Sequence, residues 1–409
     1  MTILFRSFAF ALLVLMLNAA PADADAASSK AKQAAPKRTP FETFVVQLWP
    51  AASARGVSRA TFDLAFKGVT PDPSIVELTR KQSEFVKPVW EYLSSATAPV
   101  RVQRGITAHD SWGDTLSVIE QRYGVDRSVL LGVWGMETSF GGFTGGKDVI
   151  RSLATLAAIK YRGTYFRTEL LTALEILQQG HVERSAMRGS WAGAMGQTQF
   201  MPTSFRTFAV DFDGDGHKNI WTSVPDALAS SAEFLRQKGW QQGLPWGFEV
   251  ILPTQFDFRT GPQTFDDWRA SGIARADSRA MPDQGEARLF LPAGANGPAF
   301  LVTANFDVIK RYNASDAYAL GVAHLGDLLM GGEAFRTAWP EHEKPLTQAQ
   351  RIEIQKTLTR LGYAVGKPDG RLGSRTREAI RDFQRRRGII PDGYPNERML
   401  EALRKSASL

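Results

Sequence analysis

Val129-Leu130-Leu131-Gly132-Val133-Trp134-Gly135-Met136-Glu137-Thr138-Ser139-Phe140-Gly141 is the stretch on which the reading of this chain turns. It is almost unbroken in apolar character up to Glu137, and a helix that is apolar all round is a buried one. Asp126 supplies a candidate N-cap and the Gly141-Gly142 pair a candidate stop. A side chain that normally wants water is therefore delivered by a buried helix. Burial penalises the charged form, so such a glutamate can hold its proton near neutral pH and act as a general acid. The competing reading is a structural carboxyl satisfied by hydrogen bonds.

Outward from this helix the pattern stays helical. Apolar residues recur at three- and four-residue spacing over Phe41–Trp49, Arg59–Phe66, Ser74–Ser94 and Trp112–Tyr123, and again over Ser152–Lys160, Thr164–Gln178, Thr203–Phe208 and Pro225–Gln237. Between residues 245 and 305 the texture changes. Short β-like runs at Phe248–Leu252, Arg288–Leu291 and Phe300–Thr303 lie among Gly and Pro, predicting a small sheet-containing insertion. Helices resume at Phe306–Tyr312 and Ala314–Met330, and a charged linker at residues 341–345 precedes a separate small unit.

About fifty residues past Glu137 comes Gly189-Ser190-Trp191-Ala192-Gly193-Ala194-Met195-Gly196-Gln197-Thr198-Gln199-Phe200-Met201-Pro202. Its small residues let another chain segment or a ligand approach the backbone. Two glutamines flank Thr198, and amides beside apolar surface suit a sugar, with its hydroxyls, N-acetyl groups and apolar ring face. A tight helix-packing loop is the alternative.

Taken together, the Glu-Thr-Ser-Phe-Gly and Gly-Ala-Met-Gly-Gln-Thr-Gln-Phe-Met-Pro runs resemble those of lytic murein transglycosylases of the B family, in the same order and at the same separation. The resemblance covers roughly residues 40–340. It implies a mainly α fold with a goose-lysozyme-like core and cleavage of the β-1,4 bond between N-acetylmuramic acid and N-acetylglucosamine. Common glycosidases use two carboxylates. The family is similar in needing one: a glutamate protonates the leaving oxygen, then takes the proton of the C6 hydroxyl, leaving a 1,6-anhydro sugar. By this match Glu137 is catalytic, and Ser190, Gln199, Tyr312 and Asn313 contact substrate. Neither motif offers a second acid as nucleophile. A hydrolytic muramidase and a catalytically silent wall-binding scaffold are the rival functions.

Asp211-Phe212-Asp213-Gly214-Asp215-Gly216-His217 carries the spaced oxygens and the sixth-position Gly of an EF-hand loop. Position 12 is Thr222 rather than Glu, and the next carboxylate is Asp226. The family resemblance extends to a lengthened loop of this type and implies a structural Ca2+ held by Asp211, Asp213, Asp215, the His217 carbonyl and Asp226. An Asx-rich turn without metal is the other reading. Five scattered histidines make no His-Glu-x-x-His pattern, which leaves a zinc peptidase without support. No organic cofactor is expected.

Residues 346–405 place Ile352, Gln355, Leu358 and Leu361, then Thr376, Ile380 and Phe383, at helical spacing around an Asp369-Gly370 turn. They resemble the three-helix peptidoglycan-binding domain, which implies wall glycan as the partner. Residues 346–409 hold 14 Lys/Arg against 7 Asp/Glu, while the preceding 345 residues hold 35 of each, so the whole net charge of +7 lies in the tail. An acidic polymer or an anionic surface would favour such a domain, although solubility alone can explain the charge. Nucleic acid is a poor partner for an exported chain.

At 43% hydrophobic and 22% charged the composition is that of ordinary globular protein. Residues 1–26 follow the plan of a secretory signal peptide: Arg6, the apolar run Phe8–Leu17, then small residues around Ala24. That run is too short to span a bilayer, which takes about 20 residues. Residues 27–39 read as a flexible leader. With no cysteine there can be no disulfide, thiolate metal site or lipid-modified cysteine, and a soluble periplasmic enzyme is expected.

Overall fold

The apolar run forms the helix Arg127–Thr138, buried continuously from Val129 to Gly135. It lies antiparallel to the helix Asp316–Leu329. Gly132 rests on the Val322 carbonyl and Gly326 on the Ser128 carbonyl, so closely that a Cβ at either position would collide. These two contacts set the helix separation, and the separation later sets the site. Pro99–Tyr123 and Val89–Ala96 pack on the pair, Val224–Gln237 covers Pro99–Tyr123, and Val149–Ala158 pairs with Tyr165–Gln178. One apolar cluster runs through all of them, from Phe41 to Leu329.

The computed structural model describes residues 38–80, 87–254, 256–258 and 261–407. The expected signal peptide lies outside the described residues, and so does the leader apart from its last two positions. No helix among the described residues is long and apolar enough to cross a membrane.

The insertion is a five-stranded antiparallel sheet in the order Gln263–Thr264, Glu286–Phe290, Ala299–Val302, Gly247–Ile251, Ala274–Arg275. Leu301 sits in register with Phe248 on one side and Leu289 on the other. With the helix Phe265–Ala270 the sheet encloses its own apolar cluster around Trp268. Buried Glu249 accepts N–H bonds from Arg336 and Thr337 at 2.7 and 2.8 Å, which fastens the strand Gly247–Ile251 to the chain leaving the core.

The tail is a bundle of Gln348–Arg360, Ser374–Arg386 and Glu397–Ala407 around Ile354, Leu358, Ile380, Phe383, Leu400 and Leu403. Gln355 lies on the buried face because it serves the turn: its amide accepts from Gly370 N–H at 2.8 Å and donates to the Arg371 carbonyl at 2.9 Å. From Pro40 onward the chain is one compact unit, with the tail packed on the region before it. Asp392 accepts the Ala295 N–H at 3.0 Å across that junction.

Four expectations needed revision. Ser74–Ser94 is two helices, Pro73–Arg80 and Val89–Ala96; Pro88, which lacks an N–H and restricts its predecessor, stands before the second. The helix expected from Trp112 begins at Pro99 and bends at Trp112 (φ −122°, ψ 15°). The stop of the central helix is not the Gly141-Gly142 pair, since Ser139 and Phe140 are already left-handed. Its start is held by Glu120, which accepts from Arg127 N–H at 2.8 Å, while Asp126 makes no side-chain cap.

Candidate active site

Glu137 occupies the last turn of the helix Arg127–Thr138. Beyond it Ser139 (φ 50°) and Phe140 (φ 60°) fold the chain back over the helix end. Ser139 and Phe140 N–H bond to the Gly135 and Trp134 carbonyls at 3.1 and 3.3 Å. Left-handed backbone costs a residue with a Cβ on the order of 1 kcal/mol. Packing offsets it: the Phe140 ring meets Trp134 edge-on at 5.6 Å and fills the space left by Gly105 and Gly135.

The Glu137 carboxyl is half-buried. The Tyr318 hydroxyl donates to its Oε1 at 2.6 Å, between the two helices that Gly132 and Gly326 let approach closely. Burial pushes the Glu137 pKa up to about 7, against the downward pull of the Tyr318 hydrogen bond. No acidic neighbour contributes. The charge of Glu137 is felt by three tyrosines in turn: Tyr92, Tyr312 and Tyr318 are all raised, first by burial and then by this carboxylate. They stay neutral at physiological pH and offer uncharged O–H groups. Sequence reading missed Tyr92 and Tyr318. The available signal for Tyr318 was the one that exposed Glu137, a polar tip on an apolar helix: Tyr318 precedes Ala319-Leu320-Gly321-Val322-Ala323.

The second motif folds as a tight loop wrapped around the first. Gly189 pairs with Lys147 in a two-stranded ribbon, and a Cβ at Gly189 would strike the Ala194 carbonyl. The small residues therefore admit the loop's own backbone. Ser190 Oγ accepts Ala194 N–H at 3.0 Å. Gln199 (φ 50°) donates from Nε2 to the Thr144 and Gly196 carbonyls, both at 3.0 Å, which anchors it to the segment following Glu137. Its amide oxygen has no protein donor among the described residues. The other glutamine differs. Gln197 is 5% exposed and locks the two motifs together, accepting Trp134 Nε1–H at 2.9 Å while its carbonyl takes the Thr138 hydroxyl at 3.1 Å. It is structural, not a sugar-facing amide. Tyr312 donates its hydroxyl to the Thr198 carbonyl at 2.8 Å and so steadies the Gln199 turn. Asn313 is exposed beside it, accepting Ser315 N–H at 3.2 Å.

A half-buried carboxyl held by a phenol, with the two motif loops laced around it, is matched by the transglycosylase SLT domain over residues 40–327. The chain belongs to that transglycosylase family. The putative peptidoglycan binding domain matches residues 347–403. The chain is 34% identical over 242 residues to membrane-bound lytic murein transglycosylase B of Escherichia coli (strain K12), covering 58% of this chain and 65% of that relative's length. A crystal structure of SltB3 from Pseudomonas aeruginosa in complex with NAG-anhNAM-pentapeptide superposes with a TM-score of 0.85 at 46% identity, over 89% of this chain and 99% of the other. The structure of the Escherichia coli lytic transglycosylase Slt35 in complex with calcium gives 0.60 at 28% identity, over 71% and 92%.

In this transglycosylase the acidic loop gathers three carboxylates. Oxygens of Asp211, Asp213 and Asp226 lie within 4.8 Å of one another. Asp226 is wholly buried and accepts N–H from Phe212 and Asn219, each at 2.7 Å. Burial raises its pKa, the three backbone donors oppose that, and the charge of Asp213 adds to it. Asp215 is exposed and turned to His217 N–H at 2.8 Å, outside the trio. Three carboxylates with hard oxygens this close on one loop fit a hard divalent cation.

Proposed function

We propose that this chain is an exported lytic transglycosylase that cleaves peptidoglycan glycan strands between N-acetylmuramic acid and N-acetylglucosamine. The observation that carries the reading is Glu137: one carboxyl, half-buried, raised to about 7 by burial, with Tyr318 as its hydrogen-bond partner and no acid beside it. At neutral pH an appreciable fraction is protonated and able to donate to the glycosidic oxygen. The resulting carboxylate then accepts the C6 hydroxyl proton as O6 closes on C1, so the C1–O bond to the leaving sugar breaks, the 1,6-anhydro ring forms, and Glu137 is protonated again. Water takes no part. A common glycosidase would place a second carboxylate at the site, as base or as nucleophile.

Gln199 contributes its unpaired amide oxygen to a sugar N–H or hydroxyl, and Ser190 and Asn313 line the same substrate path. Tyr312 keeps the Gln199 turn in place. SltB3 has been captured with a glycan carrying a pentapeptide, which supports stem-bearing peptidoglycan as the substrate here. Asp211, Asp213 and Asp226 would hold Ca2+, with Asp215 and the His217 carbonyl completing the set on reorientation. The cation would neutralise the loop, which stands directly after the Gln199 motif. Residues 1–26 direct export to the periplasm, residues 40–340 form the catalytic domain, 341–345 the linker, and 346–405 the wall-binding domain.

The test is mass spectrometry of muropeptides released from purified peptidoglycan by residues 40–409, beside Glu137→Gln. Products lighter by one water than the reducing-end forms, absent with the variant, are expected. Reducing-end products would make the chain a muramidase; no release, with retained wall binding, would make it a scaffold.

A further inference from the structure

Between Glu137 and the second motif runs the loop Gly141-Gly142-Phe143-Thr144-Gly145-Gly146. It is held at both ends. At the first, Gly141 N–H bonds to the Thr138 hydroxyl at 3.1 Å and Phe143 N–H to the Thr138 carbonyl at 3.0 Å, one residue from the acid. At the second, the Thr144 carbonyl accepts Gln199 Nε2–H at 3.0 Å. Gly145 lies so close to the Gly189 carbonyl and the Ser190 nitrogen that a Cβ there would collide with both. The loop thus joins the end of the catalytic helix to Ser190 and Gln199.

At its middle stands Phe143, 74% exposed. Among the described residues every other phenylalanine and every tryptophan is buried or half-buried, and no ring or cation packs on this one. A lone apolar side chain on a surface is ordinary. Phe143 differs in its address. Its own N–H and the carbonyl of the next residue are both bonded, so its backbone is fixed relative to Glu137 and to Gln199 before any ligand arrives, and binding has less ordering to meet. The two side chains are also chemically complementary. A β-linked N-acetylhexosamine carries its substituents around the rim and leaves C–H bonds on its faces. A flat aromatic ring covers such a face, while the free amide oxygen of Gln199 suits a hydroxyl or acetamido N–H on the rim.

We propose that Phe143 is a sugar-stacking platform of the active site, its ring covering the face of a strand sugar beside the bond that Glu137 cleaves. The proposal rests on the reading of Glu137 as the acid acting on peptidoglycan. It gives the loop between the two motifs a part in gripping the strand, where the motifs themselves supply the acid and the polar contacts.

The experiment measures kcat and KM for anhydro-product release from soluble glycan strands by the wild type, Phe143→Ala, Phe143→Leu and Phe143→Trp. A platform that grips ground state and transition state alike acts on KM and leaves kcat. Phe143→Ala should raise KM about tenfold, the scale of one apolar face returned to water. Phe143→Trp, which keeps a flat ring, should stay near the wild type, and Phe143→Leu, apolar but not flat, should fall with alanine. The melting temperature should not move in any of them, because the side chain is already 74% exposed. An unchanged KM in Phe143→Ala, an effect on kcat alone, a leucine variant equal to the wild type, or a rise in KM that comes with a lower melting temperature overturns the proposal. Flotation of the wild type with phosphatidylglycerol vesicles, lost in Phe143→Ala beside an unchanged KM, overturns it in favour of a membrane. If the wild type releases no anhydro product, the transglycosylase reading itself fails and takes the proposal with it.

Discussion

Glu137 and the loop Asp211–Asp226 are both acidic sites, and they are built in different ways. Glu137 has a single hydrogen-bond donor, an apolar helix behind it and no charged neighbour, so its environment favours the proton. In the loop, Asp211 accepts Gly214 and Gly216 N–H at 2.7 and 2.9 Å, and Asp226 takes three more backbone donors. There three backbone donors oppose burial and the charge of Asp213, and the Asp226 carboxyl still stands above its usual range. A raised carboxyl is thus reached by two routes, one donor with no acid beside it at Glu137 and three donors with an acid beside it at Asp226.

That contrast can be broken at several points. Glu137→Gln should lower cleavage by on the order of a thousandfold, read as anhydro-product release. The same variant should be more stable than the wild type at pH 8. A carboxyl raised from 4.5 to about 7 binds its proton more tightly when folded, so its contribution is present below pH 4.5 and is lost as pH rises through about 7. The gain is about 3 kcal/mol at most, from denaturant titrations at both pH values. A stability gap that did not vary with pH would remove the raised pKa.

Asp226→Ala strands three backbone N–H groups, each worth about 1 kcal/mol or more when buried, and should cost about 3 kcal/mol in urea unfolding. Calcium added to metal-stripped wild type at about a hundred times its Kd should give about 2.7 kcal/mol, seen as a rise in Tm that Asp211→Asn abolishes. No rise would reduce the loop to a turn. The smallest effect concerns Tyr318→Phe, which deletes the donor that pulls Glu137 down. The basic limb of the pH–rate profile should move up by about one unit. An unmoved limb would mean that Tyr318 merely fills space.

The central helix was legible from residue 127 to residue 138 because its burial is written in composition, and three of the five sheet strands came within two residues, while the two-residue edge strands Gln263–Thr264 and Ala274–Arg275 went unread. What escaped depends on distant partners. Nothing near Tyr318 announces that it meets Glu137, and Gln197 and Gln199 look equivalent until one is seen bonded to Trp134 and the other to Thr144. The stop at Ser139-Phe140 escaped because Ser and Phe seldom take left-handed backbone, and here the packing of Phe140 on Trp134 holds them in it. Asp215 shared its spacing with Asp211 and Asp213 yet turned outward, since a loop motif fixes order along the chain and not orientation.

The hydrogen bond between Tyr318 and Glu137 spans 181 residues of sequence. Loop closure over that distance is among the slower events in folding, and the contact needs both glycine-mediated helix crossings to be in place. A folding chain therefore carries its acid for some time without the partner that sets it. Competence to cut the wall arrives with the docking of the helix Asp316–Leu329.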